Sequence, residues 1–309
     1  MGCGRLTVST LAVITSPAVA DSARVRLRPG SVGRAAFFPV IAAVCSLVAA
    51  APFDRAAAAD WPDALRGSFT PTYARWDGWQ FGVQAGLANM RTDFANSTSS
   101  MVAFILRNTI QENEFAPSNW ATLSPDETNG AIFGGFLAYN MQWDRLVLGV
   151  DAGYNYASKL QTDSGDFIGR QFVTSDQFDN DVQINAQATM KLVDYATLRG
   201  RAGYAFGQFL PYVAIGAALG RFNYSTTVTV HSTGTPIPPA PGSSFDNTST
   251  QSVGKTNAYI GGFAVALGTD WAITPAMFLR AEWQYIAFAP VNGSRNNINT
   301  GALGVGARF

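Results

Sequence analysis

From Trp76 onward the chain repeats one pattern: an apolar residue followed by a small or polar one, over about ten positions. Period two means a strand with two unlike faces, because successive side chains point to opposite sides. Eight such segments are read: Trp79–Leu87, Ala131–Asn140, Leu146–Tyr156, Leu192–Tyr204, Pro211–Arg221, Tyr259–Trp271, Met277–Tyr285 and Gly301–Phe309. The seventh is the clearest. Met277, Leu279, Ala281, Trp283 and Tyr285 alternate with Phe278, Arg280, Glu282 and Gln284. In the first, Trp79, Phe81, Val83 and Leu87 share a face that Gln80 and Gln84 do not. The second is less clean, since Ile132 and Phe136 fall opposite Phe133 and Leu137.

The links between segments are sorted by length. Residues 141–145, 205–210 and 272–276 are short; 88–130, 157–191 and 222–258 are long; 287–300 is moderate. Short and long links alternate, as they do in a transmembrane β-barrel with tight periplasmic turns and long extracellular loops. A soluble β-sandwich also alternates in and out. It has no reason to sort its loops, or to keep one face of every strand free of charge. The sequence therefore predicts an all-β fold: an eight-stranded antiparallel transmembrane barrel.

Composition agrees. Only 14% of residues are charged, against about 25% in a typical soluble domain. Outside the N-terminal region no stretch is long and apolar enough for a membrane helix. Lys plus Arg and Asp plus Glu both total 21, which excludes a basic nucleic-acid binder and an acidic tail protein. The aromatics suggest two interfacial belts. Trp79, Trp143, Tyr204, Tyr212, Trp271 and Phe309 fall near the short turns. Tyr154, Tyr156, Phe222, Tyr224, Tyr259, Tyr285 and Phe288 fall near the long links.

The first 59 residues read as an N-terminal extension and a cleaved secretory signal. Arg24, Arg26, Arg28 and Arg34 form the basic region, residues 35–51 the apolar region, and the alanines at 56–59 the cleavage site. The alternative is a membrane anchor, disfavoured by Pro39 and the Ala-rich exit. Cleavage removes Cys3 and Cys45, which leaves no thiol chemistry. The remainder keeps 15 of the 21 basic and 19 of the 21 acidic residues, for a net charge of −4. Residues 60–76 are expected to form a short periplasmic lead-in and 77–309 the barrel.

Specific stretches resemble the small outer-membrane barrels of alphaproteobacteria, the outer-membrane immunogenic or porin-family proteins, which share the OmpA-like membrane barrel. The stretches are Trp76–Trp79 (WDGW), Gly134–Asp151, Thr197–Gly220, Gly261–Tyr285 and the terminal GVGARF. The chain departs from the family's habits at Ala138–Met141 and at Ala307-Arg308-Phe309. The resemblance implies residence in the outer membrane of a Gram-negative bacterium, with roles in envelope integrity and host contact. It also implies that Phe309 is the signal read by the barrel-assembly machinery. The expected partners are outer-membrane lipid, lipopolysaccharide, that machinery, and a host or extracellular ligand.

A barrel of eight strands is narrow and filled by side chains. Its inward positions include Gln84, Asp151, Arg199, Arg201, Arg280 and Glu282. These are expected to form a buried polar network in which the arginines answer the acids. The alternative is a narrow ion path through the same charges, with room left by inward Gly and Ala. No catalytic residue, cofactor or metal site is expected. The single histidine, His231, is placed in the third long loop, solvated, with ligand contact as the alternative. Asp176, Asp179 and Asp181 cluster in the second loop without the spacing of a calcium loop. No HExxH, GxSxG or phosphate-loop motif occurs. Met101–Leu106 (MVAFIL) is too apolar for a plain loop. It is expected to extend strands, pack over the barrel mouth or form a contact patch. Asn96–Ser100 and Ser243–Ser252 are expected to be flexible. The function so predicted is structural and surface-interactive, with a low-conductance porin as the alternative.

Overall fold

The computed structural model describes residues 74–120 and 123–309. The expected signal, cleavage site, both cysteines and most of the lead-in lie outside the described residues. Among the described residues nine strands occur: β1 (Gly78–Asp93), β2 (Asp126–Trp143), β3 (Leu146–Ser158), β4 (Gln161–Val173), β5 (Phe178–Tyr204), β6 (Phe209–Pro236), β7 (Phe245–Ala272), β8 (Met277–Phe288) and β9 (Arg295–Arg308). Two short helices, α1 (Ser99–Ile105) and α2 (Ile110–Phe115), and a 3-10 turn (Pro117–Asn119) lie between β1 and β2.

Every pairing is antiparallel, in the order β3-β2-β1-β9-β8-β7-β6-β5-β4. A further pairing of β3 with β5 closes the ring. β3 pairs along the lower part of β5, from Leu146↔Tyr204 to Tyr156↔Asp194. β4 continues up the same neighbour, from Gln161↔Lys191 to Val173↔Asp179. They are one stave interrupted at Lys159, whose φ is +61°. The barrel thus has eight staves, with a two-residue turn at Asp144-Arg145 and tight turns at 205–208 and 273–276.

The long links at 157–191 and 222–258 are not loops. β5, β6 and β7 run 27, 28 and 28 residues, while about 9–11 suffice to span a membrane. Their upper halves join β4 in a four-stranded sheet that rises past the barrel. His231 therefore sits in strand β6, not in a loop, and all but the first two residues of Ser243–Ser252 are part of β7 rather than a loose run. Nor is Asn96–Ser100 a loose segment. Ser97 and Thr98 are buried, and the Ser97 hydroxyl donates to the Phe94 carbonyl at 2.8 Å.

Side-chain polarity inverts along these staves. In the barrel the apolar residues point outward: Val83 is 63% exposed, Ile215 57% and Leu303 71%. In the upper sheet Val182, Ile184, Met190, Val228 and Val230 point inward and are buried. A bulge in β5 between Leu192 and Asp194 helps make this change. Below it odd-numbered residues such as Arg199 face in; above it even-numbered ones such as Ile184 do. Met101, Val102 and Leu106 bring α1 and its C-cap onto this aliphatic core, with Met90, Phe94 and Leu123. The apolar MVAFIL run thus packs over the mouth, and only its Phe104 ring is exposed among the large side chains.

The two-belt reading is partly overturned. Tyr212, Phe222 and Phe288 face inward and are buried, and Tyr224 packs on the aliphatic core. Height along a strand placed them in a belt; parity puts them inside. Trp79, Trp143, Tyr204, Tyr154, Tyr156 and Tyr259 do face outward.

Candidate functional site

Inward parity on four staves brings six charged side chains into one layer across the barrel. Asp151 comes from β3, Arg199 and Arg201 from β5, Asp270 from β7, and Arg280 and Glu282 from β8. All six are buried. Arg199 donates to Asp151 at 3.0 and 2.5 Å and to Glu282 at 2.7 and 3.1 Å. Arg280 donates to Asp151 at 3.0 Å and to Asp270 at 2.9 and 3.2 Å. Arg201 reaches Asp270 at 2.7 Å. The Tyr212 hydroxyl donates to Glu282 at 2.6 Å. Three guanidiniums meet three carboxylates, so the layer is neutral.

Such pairing is what permits charge inside a narrow barrel. Each ion loses its water, and only close, multiply bonded partners offset that loss. Charge-assisted bonds to a planar guanidinium also fix direction. Two rings complete the layer: the Arg201 guanidinium lies 3.9 Å from the Tyr212 centroid, and that of Arg280 lies 3.8 Å from Phe136.

Of the residues assigned to the interior network from sequence, Asp151, Arg199, Arg201, Arg280 and Glu282 meet in this layer. Gln84 stands apart, donating to Asn155 at 2.7 Å. Asp270 and Tyr212 were missed. Both carry the inward parity of their strands, so the signal was present; Asp270 sits next to an outward Trp271 at a strand end, and Tyr212 was read as a belt residue. Beside some of the inward glycines the expected room is taken by rings. A Cβ at Gly82 would lie 2.5 Å from the Phe136 ring, and one at Gly268 2.5 Å from that of Tyr212.

At the short-turn end of the barrel a second group of side chains packs inside. Trp76 does not open strand β1; its ring is buried in the barrel base, edge-on to Phe278 at 6.0 Å. Its backbone N–H donates to the Gln142 side chain at 2.6 Å. Arg308 lies 4.6 Å from the Trp76 ring. It donates to the carbonyls of Pro275 (2.7 Å), Arg75 (3.0 Å) and Thr274 (3.2 Å). At the opposite end the aliphatic core described above lies over the mouth.

The other residues singled out from sequence lie away from this layer. Phe309 is outward, stacked on Phe81 at 5.3 Å, with its N–H bonded to the Trp79 carbonyl at 3.0 Å. His231 faces out from the upper sheet, its Nδ1 2.8 Å from the Thr248 hydroxyl and 3.5 Å from Asp246. Asp176, Asp179 and Asp181 accept from Thr174, Gln171 and Gln183 respectively. Among the described residues no group of three or more His, Cys, Asp or Glu has the geometry of a metal site.

Solved structures similar to the chain include Ail, the attachment invasion locus protein of Yersinia pestis, in complex with the heparin analogue sucrose octasulfate. It has 15% identity and a TM-score of 0.26, over 75% of this chain and 99% of that one. Neisserial surface protein A gives 15%, 0.27, 74% and 97%, and the outer membrane protein OprG of Pseudomonas aeruginosa gives 12%, 0.32, 75% and 96%. No curated protein matches the sequence. The family model described as outer membrane protein beta-barrel domain matches residues 40–309. The chain therefore belongs to the outer membrane β-barrel family.

Proposed function

We propose that the protein is a closed, non-conducting barrel that anchors an extracellular sheet in the outer membrane of a Gram-negative bacterium, with a structural and surface-interaction role. The observation that carries this reading is the ionic layer. Every charge in it is paired, and rings fill the gaps. The Trp76 closure below and the aliphatic core above support it. In this reading residues 1–59 are removed on export and residues 60–76 lead into the barrel. Phe309, outward at the periplasmic rim, is presented to the assembly machinery. The upper sheet, the helices and the lipid-facing wall meet lipopolysaccharide and an extracellular ligand.

A second reading, a low-conductance pore, draws on one observation. Asn140, a step below the ionic layer, and Gln284, a step above it, have buried side-chain nitrogens without partners. Buried polar atoms of this kind are commonly satisfied by internal water, which would give hydrated layers on either side of the charges. Conduction then needs the arginines to part.

Deleting the gene separates the two. A structural anchor predicts cells sensitised to detergent and chelator, with unchanged uptake of small solutes. Normal envelope resistance with reduced uptake would contradict it.

A further inference from the structure

The outward face of the upper sheet has a composition unlike that of the barrel wall beneath it. Three rows run across it. Gly165, Gln187, Thr227 and Ser252 form one; Phe167, Asn185, Thr229 and Thr250 the next; Gly169, Gln183, His231 and Thr248 the third. Directly paired residues share a face, so these side chains make one continuous array. It is built of amides and hydroxyls, with one imidazole and no acid, lysine or arginine in the three rows. Thr227 bonds to Ser252 at 3.0 Å and Thr229 to Thr250 at 2.9 Å, which fixes the hydroxyls in a ladder. The amides of Asn185 and Gln187 are exposed.

One aromatic interrupts this polar array. Phe167 is 63% exposed, between Gly165 and Gly169 on the same face. Those glycines are not forced by packing. A Cβ at Gly165 would find its nearest neighbour at 3.7 Å and one at Gly169 at 3.4 Å. Neither φ is positive. Their effect is to leave an open trough on both sides of the ring, bordered by amides. A ring whose faces are uncovered, set among fixed hydroxyls and the exposed amides of Asn185 and Gln187, suits a sugar. The pyranose C–H face stacks on the aromatic, and its hydroxyls exchange hydrogen bonds with side chains that both donate and accept. The lack of cations in these rows argues against a polyanion as the occupant.

The base of the array is different. Lys159 and Lys191, two of the chain's three lysines, are exposed where β3 gives way to β4 beside β5. Neither is in an ion pair among the described residues. Two acids stand between them and the three rows: Asp163, which accepts from Gln161 at 3.1 Å, and Asp126, which accepts from the Asp163 backbone N–H at 3.0 Å. Below the lysines stand the outward tyrosines 154 and 156, and below those the apolar wall. Membrane wall, ring belt, cations and neutral polar face follow one another up the same staves.

We propose that this face binds the sugar chain of outer-leaflet lipopolysaccharide, with Lys159 and Lys191 receiving a headgroup phosphate and the Phe167 trough an oligosaccharide ring. The commitment to the anchored glycolipid rests on continuity: the array rises directly from the wall that contacts the outer leaflet. It also rests on the proposed orientation, with this sheet outside the cell. The test uses the folded protein in micelles, with three probes: lipopolysaccharide bearing its core sugars, phosphorylated lipid A without them, and the free core oligosaccharide. Wild type is expected to bind the sugar-bearing lipid about tenfold or more tightly than lipid A. Phe167→Ala and Asn185→Ala each remove that advantage and leave lipid A binding unchanged. Lys191→Gln weakens both lipids. Heat-modifiable mobility verifies that each variant is folded. No preference in wild type, or full preference retained in the Phe167 and Asn185 variants, would overturn the proposal. Free oligosaccharide binding as tightly as the anchored lipid would overturn the assignment to the leaflet. Because conductance is not read here, failure of this site and failure of the closed-barrel reading remain distinct.

Discussion

Strand β6 meets two environments with one backbone. In its lower half Val213, Ile215 and Leu219 face out, while Tyr212, Ala214 and Gly216 line an interior crossed by ions. In its upper half Val228 and Val230 face in, while Thr227, Thr229 and His231 face out. Outward parity is the same in both halves. What changes is the solvent on each side. Lipid around the wall favours apolar side chains outside and forces any inward charge to be paired. Water around the upper sheet favours polar side chains outside and drives the apolar ones to a common core. The barrel is therefore held inside by a few directional contacts, and the upper sheet by many non-directional ones.

That difference can be broken at its strongest point first. Arg280 joins Asp151 and Asp270, so Arg280→Ala leaves three buried carboxylates facing only the two guanidiniums of Arg199 and Arg201. It is expected to lower barrel stability by about 3–5 kcal/mol, read as a shift in the urea midpoint of heat-modifiable mobility. Ile184→Ala, in the aliphatic core, should cost about 3 kcal/mol. That loss is expected to be local, with faster proteolysis of the upper sheet and an intact barrel band. Ile215→Lys puts a cation in the lipid-facing wall and should cost about 2–4 kcal/mol. The matched Thr229→Lys, outward on the same strand but in water, should stay within about 0.5 kcal/mol. Equal effects of the last two would erase the distinction between the halves.

Much of the barrel was legible because period two and the sorting of links by length are local signals. The lower halves of all the staves follow from parity alone, as do the six ions of the central layer, although only five of them are named from sequence. The upper sheet was missed for a physical reason. Its alternation is equally regular, as Val182, Ile184, Ala186 and Ala188 separated by polar residues attest. Its polar face was mistaken for loop because a transmembrane strand was expected to have a charge-free outer side. The bulge at Val193 further shifted the register at the point where the two patterns join. Trp76 and Arg308 were not assignable from sequence as a pair, since 232 residues separate them and only ring closure brings them together.

The central claim is that the ionic layer closes the lumen. Single-channel recording of the folded barrel in a planar bilayer tests it most directly. A closed lumen predicts a flat trace from protein whose heat-modifiable mobility proves it folded. Stable, repeatable current steps that change when Arg199 is replaced by Ala would contradict it, and would make the paired arginines the lining of a pore.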